Sequence, residues 1–110
     1  MLGPGQRRLV STGFAIAVPH GACALVLPRS GLALNHGVTV LNAPGLIDSG
    51  YRGEIKVVLI NHGDETFVYE RGQRIAQLLV LPVPALTLVL VDDLPPASDD
   101  RGASGFGSSG

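Results

Sequence analysis

The chain has one cysteine, Cys23, no tryptophan, and only three Phe and two Tyr among its 110 residues. A single thiol excludes an intrachain disulfide and any Cys-rich metal centre, which suits a reducing compartment. On its apolar run Cys23 reads as a small core residue rather than a nucleophile. Neither sign of charge is in excess. Eight Lys and Arg against nine Asp and Glu leave a formal −1, so no overall basic field draws nucleic acid, and any anionic ligand has to be held by local arginines. No apolar run approaches a membrane span, and Met1 is not followed by a signal-peptide pattern. The chain therefore reads as soluble and cytoplasmic, with no membrane partner. His20, His36 and His62 each precede a glycine; without ligand spacing they read as exposed turn residues, not as a metal site. No stretch shows the pattern of an amphipathic helix.

What is present is short aliphatic runs cut by turns. The length suits one domain, and a 45% hydrophobic share builds a limited core that leaves an incentive to bury more surface in an oligomer. Leu2 to Arg8 reads as a polar turn leading into Leu9 and Val10. Phe14, Ile16 and Val18 alternate with Gly13, Ala15 and Ala17, the period of a half-buried strand over Thr12 to Val18. Ala22 to Leu27 is a second strand closed by Pro28. Ser30 to Asn35 accommodates one helical turn, and Gly31 and Gly37 argue against more. Further on come a turn at His62 to Asp64, a short strand at Thr66 to Tyr69, and a strand-like run at Arg74 to Leu81. After Pro82 and Pro84 comes a last apolar run, Leu86 to Val91; its continuous aliphatic character, like that of Gln77 to Val83, implies burial on both faces, one within the subunit and one against a partner. Turns recurring at this spacing indicate an all-β sandwich or jelly roll. From Asp92 the composition shifts to Asp, Pro, Ser and Gly, which cannot form a core of its own.

The most informative stretch is N-A-P-G-L-I-D-S-G-Y-R-G-E-I-K, Asn42 to Lys56. Val38, Val40 and Leu41 lead in and Ile55, Val57, Val58, Leu59 and Ile60 lead out, all β-branched or aliphatic strand formers, while Pro44, Gly45, Gly50 and Gly53 are expected to supply bends. Asp48 and Tyr51, three positions apart near a hairpin tip, can face one small pocket. The plain alternative for this stretch is a polar turn.

Three further segments occur together with it: P-R-S-G at Pro28 to Gly31, R-G-Q-R-I-A-Q at Arg71 to Gln77, and R-G-A-S-G-F-G-S-S-G at Arg101 to Gly110. In this order and at these spacings the chain resembles the trimeric dUTPases, which cleave dUTP to dUMP and pyrophosphate. The four segments match that family's second motif (Pro28 to Gly31), third (Asn42 to Glu54), fourth and fifth. The resemblance implies a distorted jelly roll or β-sandwich of short strands with a flexible Gly/Ser-rich C-terminal arm. It divides the chain into a β domain over residues 1–91 and an arm over residues 92–110 that carries the fifth motif.

By resemblance Asp48 is the general base, a fixed carboxylate that orients and partly deprotonates the water attacking the α-phosphate, an effect worth on the order of 10² to 10⁴ in rate. Asn42 and the main chain of Gly45, Leu46 and Ile47 resemble the family's uracil cradle: uracil offers two acceptors and one donor, and cytosine would leave buried groups unpaired. Tyr51 resembles the residue beneath the deoxyribose, with a buried structural tyrosine as its alternative. Lys56 matches a position bordering the nucleoside, with a solvated lysine as its alternative. Arg29, Ser30 and Gly31 resemble the phosphate loop, and Gln77 would add an amide donor. Ser30 lacks the G-x-S-x-G context of a nucleophile. In the arm, Arg101 would reach the γ-phosphate, Phe106 would stack on uracil, and Gly107 and Ser108 would close over the phosphates; a Gly-Ser linker is the alternative. Ser104 departs from the family's usual glycine. Mg²⁺ is implied as a cofactor bound through substrate phosphates and water, with no direct protein ligand.

No segment matches the family's first motif, of A-G-x-D-L type, so the β domain reads as N-terminally truncated. Two further functional readings follow: a catalytically impaired dUTP-binding or regulatory protein, and a relative of dCTP deaminase. The second fits less well, because that family follows its Arg-Ser pair with another Ser and a further Arg, whereas Gly31, Leu32, Ala33 and Leu34 follow here.

Overall fold

Period-two burial organises the chain. In the strand Lys56–Asn61, Lys56 is exposed while Val57, Leu59 and Asn61 are buried, so one face turns inward. The computed structural model describes residues 1–98, 102, 103 and 105. Its elements run β1 (Arg7–Ser11), β2 (Ala22–Leu27), α1 (Ser30–His36), β3 (Val38–Val40), β4 (Gly45–Ile47), β5 (Lys56–Asn61) and β6 (Gln77–Pro82). Two three-stranded sheets form, in the orders β1-β5-β3 and β4-β2-β6, with every pairing antiparallel. One apolar cluster draws Val38, Val40, Val57 and Leu59 from the first sheet and Ala24, Val26 and Ile47 from the second. The all-β sandwich of short strands is as expected.

Several local expectations are corrected. Leu2 is fully buried and exchanges main-chain hydrogen bonds with Phe67, so the N-terminal segment is no free polar turn. The expected strand at Thr66 to Tyr69 is reduced to this one bridge. Arg7 to Ser11 forms an edge strand that its two arginines concealed. Residues 12–18 keep the expected alternation only at Ile16, half-buried, and Val18, buried, while Phe14 is exposed; they form no strand, since only a few contacts such as Ile55 N–H to Phe14 O, 3.0 Å, tie them to a neighbour. The helix α1 has seven residues rather than one turn. Gly37 does not shorten it but ends it, taking the left-handed conformation (φ 67°) with its N–H returned to Ala33 O, the usual glycine solution at a helix end. Gly45 lies within β4 rather than in a bend. Leu86 to Val91 forms no strand, and Leu88 and Leu90 are 99% and 100% exposed. A strand needs a ladder partner, and this run takes no sheet edge of its own chain.

Asn61, at the end of β5, is the only fully buried polar side chain among the described residues. Its amide nitrogen donates to Leu2 O (2.9 Å) and Glu65 O (2.8 Å), and its Oδ1 accepts from the Gly63 N–H (2.8 Å). One residue thus fastens the N-terminus and the turn after β5 to the first sheet. No helix among the described residues is long and apolar enough to cross a membrane.

Candidate active site

The connection between β3 and β5 leaves the first sheet and returns to it. Val38↔Asn61 and Val40↔Leu59 pair β3 with β5, yet between them Gly45 to Ile47 pairs with Val26 to Ala24 of the second sheet. The segment Asn42 to Lys56 is therefore a loop pinned to both sheets rather than a simple hairpin. Strand β4 lies at the edge of the order β4-β2-β6, so one row of its main-chain N–H and C=O groups is paired with β2 and the other is open.

Beyond β4 the chain turns at Asp48 to Tyr51, with Tyr51 N–H donating to Asp48 O at 3.1 Å. Arg52 Nη1 clamps this turn by donating to Ser49 O (2.6 Å) and Tyr51 O (3.0 Å). The Tyr51 hydroxyl donates to Glu54 O at 2.7 Å, and Glu54 Oε1 accepts from the Gly13 N–H at 2.9 Å. Thr12 Oγ1 donates to Ile55 O at 2.6 Å. The exit of the loop is thus bound to residues 12–14, a tie that sequence reading did not find.

These contacts frame a cleft of about 210 Å³ lined by Val26, Asn42, Gly45, Leu46, Ile47, Asp48, Tyr51, Glu54, Ile55 and Lys56. Seven of the residues singled out in the sequence meet here: Asn42, Gly45, Leu46, Ile47, Asp48, Tyr51 and Lys56. Gly45 and Ile47 are buried and Leu46 is 62% exposed, so β4 turns a leucine outward at the cleft. An added Cβ on Gly45 would lie 3.3 Å from Val26 Cβ and 3.4 Å from Asn42 Nδ2. Tyr51 is 45% exposed, which removes the buried structural reading. The Asp48 side chain is exposed and Lys56 points outward from β5.

The other residues singled out lie apart. Arg29 precedes α1 as its N-cap and Ser30 opens the helix. An added Cβ on Gly31 would meet nothing within 4 Å, so packing does not require this glycine. Gln77 stands opposite Leu27 in the β2–β6 ladder, and its Nε2 donates to Pro28 O at 2.9 Å, which joins the second and fourth motif segments. One of its two amide hydrogens remains for a ligand. Gln77 also lines a wider groove of about 760 Å³ beside Arg71 and Arg74. Arg29, Ser30 and Gly31 line neither cleft. Arg101, Phe106, Gly107 and Ser108 lie outside the described residues. Glu54 and Val26 line the cleft without having been assigned a role from sequence. Glu54 fell inside the third motif segment, the signal that could have flagged it, whereas Val26 carries none beyond its strand.

Among the described residues no group of three or more His, Cys, Asp or Glu could hold a metal ion. This donor set supplies amides, hydroxyls and guanidinium groups, which suits a divalent ion that arrives with its own oxygen ligands on a substrate.

The dUTPase family description matches residues 1–110. The chain belongs to the dUTPase family. It is similar to the deoxyuridine 5'-triphosphate nucleotidohydrolase of Anaeromyxobacter sp. (strain Fw109-5), with 58% identity over 99% of this chain and 73% of the relative. The corresponding protein of Gloeobacter violaceus (strain ATCC 29082 / PCC 7421) is 56% identical over the same shares. In fold it is similar to a mutant Staphylococcus bacteriophage 80alpha dUTPase solved with dUpNHpp, at a TM-score of 0.83 and 25% identity over 99% of this chain and 79% of that one. EIAV dUTPase gives a TM-score of 0.76 at 27% identity, covering 86% and 77%. Membership in the dUTPase family accounts for all four motif segments at once, and the two sheets are the dUTPase jelly roll.

Proposed function

We propose that this chain hydrolyses dUTP, as its magnesium complex, to dUMP and pyrophosphate, which keeps uracil out of DNA and supplies dUMP for thymidylate synthesis. The observation that carries the reading is the small cleft, where the open edge of β4, the Asn42 amide, the Asp48 carboxylate and the Tyr51 phenol face one volume. The naming of the relatives as deoxyuridine 5'-triphosphate nucleotidohydrolases and the analogue in the phage dUTPase support the choice of substrate.

The open row of β4 main-chain groups and the Asn42 side chain pair with the two carbonyls and one N–H of uracil. In this reading the tight loop leaves no room for a 5-methyl. Tyr51 packs beneath the deoxyribose and Lys56 borders the nucleoside. Asp48 takes a proton from a water whose oxygen bonds to the α-phosphorus, while the bond from that phosphorus to its bridging oxygen breaks and pyrophosphate leaves. Arg29, Ser30, Gly31 and Gln77 hold the phosphates by charge-assisted and neutral hydrogen bonds. Magnesium, bound through phosphate oxygens and water, supplies charge neutralisation on the triphosphate.

The working unit is a homotrimer in this reading. Two observations support it: Arg29 to Gly31 line neither cleft of their own chain, and the apolar run Leu86 to Val91 is uncovered. Each site would join the third motif segment of one subunit to the second and fourth of another. Residues 92–110 form the arm in this reading, with Arg101, Phe106, Gly107 and Ser108 from a third subunit closing over the ligand, while residues 1–91 form the β domain. The protein works in the cytoplasm, without a nucleic-acid or membrane partner.

The test is pyrophosphate release with Mg²⁺ from dUTP against dTTP, dCTP and UTP. Release confined to dUTP is expected. Equal release from dTTP or UTP would overturn the cleft as the selecting element, and ammonia from dCTP would move the chain to deamination.

A further inference from the structure

The geometry points to a seat for the Tyr51 ring made of the vacant Cβ position of Gly53 and the main-chain carbonyl of Glu54, with Gly53 as a positioning residue for sugar selectivity. The inference rests on the reading above in which Tyr51 borders the deoxyribose. An ideal Cβ on Gly53 would lie 2.5 Å from the Tyr51 hydroxyl oxygen, 2.7 Å from Cζ and 3.0 Å from Cε1. The ring therefore occupies the space a side chain would need. Backbone conformation is not the reason for this glycine, because Gly53 is absent from the positive-φ glycines. Gly50, in the same loop and also of ordinary φ, would meet nothing within 4 Å.

The second half of the seat fixes the end of the ring. The phenol donates to Glu54 O at 2.7 Å. Glu54 is itself held, since its carboxylate accepts from Gly13 N–H at 2.9 Å and the next residue, Ile55, is bracketed by Thr12 and Phe14. The orientation of a half-exposed ring is thus referred through Glu54 to residues 12–14. A ring stiffly placed in this way excludes a 2′-hydroxyl; a swinging ring makes room for it.

The decisive experiment is Gly53→Ala, read as the ratio of kcat/KM for dUTP to that for UTP. The ratio is expected to fall by about tenfold or more, as a shift of about 1 Å at a binding group commonly does, mainly through a lower KM for UTP. Gly50→Ala is expected to keep the ratio. In a Tyr51→Ala background, Gly53→Ala is expected to change nothing further, because the two effects share one contact. An unchanged ratio in Gly53→Ala, or the same fall without the ring, overturns the seat. With no tryptophan and two tyrosines in the chain, a Tyr69→Phe background isolates Tyr51 emission. Iodide quenching of it is expected to rise in Gly53→Ala, and unchanged quenching overturns the seat whatever the substrate. If Gly53→Ala does not fold, the Tyr51→Ala double variant is expected to restore folding, and failure to do so counts against the seat. A parent chain that does not prefer dUTP over UTP sinks the dUTPase reading instead, and quenching still judges the seat.

Discussion

Asp48 and Asn61 carry similar polar groups to opposite ends. Asp48 is exposed at the cleft, where its carboxylate is open to a water. Asp48→Asn keeps the shape and removes the base. Hydrolysis is expected to drop by about 10² to 10⁴ with dUTP affinity nearly retained, checked by pyrophosphate release beside calorimetric titration; full turnover would assign the base elsewhere. Asn61 is enclosed, and its three hydrogen bonds satisfy Leu2 O, Glu65 O and Gly63 N–H. Asn61→Leu would strand Glu65 O and Gly63 N–H, while Leu2 O keeps its bond from Phe67 N–H, at about 1 to 3 kcal/mol for each stranded group, a large share of the roughly 5 to 15 kcal/mol that holds a typical domain. A sharply lower melting temperature is expected by calorimetry, with little remaining folded chain at 37 °C.

At the level of elements, the helix end is as tightly specified as the strands. Gly37 sits at φ 67°, and a Cβ there would lie 2.7 Å from Gly63 N and 2.9 Å from Gly63 Cα, so backbone meets backbone. Gly37→Ala combines left-handed strain of about 1 to 3 kcal/mol with a clash that no rotamer relieves. A loss of at least about 2 kcal/mol is expected in urea unfolding, where Gly31→Ala, inside α1 with open space at its Cβ position, should instead gain up to about 1 kcal/mol. The contrast explains what could be read from sequence. β2, β3 and β5 were legible because Val, Leu and Ile cluster where period-two patterning and turns agree, and the cleft residues were legible as one contiguous motif. β1 was hidden because Arg7 and Arg8, which lie on opposite faces of the strand, are both exposed at the start of an edge strand. The pairing of β4 with β2 was hidden because register between distant segments leaves no local signature in Gly45, Leu46 and Ile47. Residues 12–18 and 86–91 have strand periodicity without a ladder partner in their own chain, and period alone cannot report that. The tie from Glu54 to Gly13 spans 41 positions and has no compositional trace.

For the whole molecule, the radius of gyration is 18.9 Å, well above the roughly 13 Å of a compact domain of about 100 residues, and the apolar run beyond β6 stands in solvent. The proposed trimer gives that run a destination. Leu88→Asp with Leu90→Asp is expected to lower the sedimenting mass toward the monomer and to remove activity at micromolar protein while leaving strand content unchanged by circular dichroism; a trimer of undiminished stability would exclude the run from the interface. The loop from Asn42 to Lys56 has a kinetic consequence of its own. Because β4 is laced into one sheet while its flanks β3 and β5 close the other, no part-folded chain possesses the binding surface. Nucleotide then acts as a clasp on the final state alone, so saturating dUTP analogue should delay amide exchange across both sheets together rather than around the loop, and in the proposed trimer a newly made chain gains its ligand only after its partners have joined it.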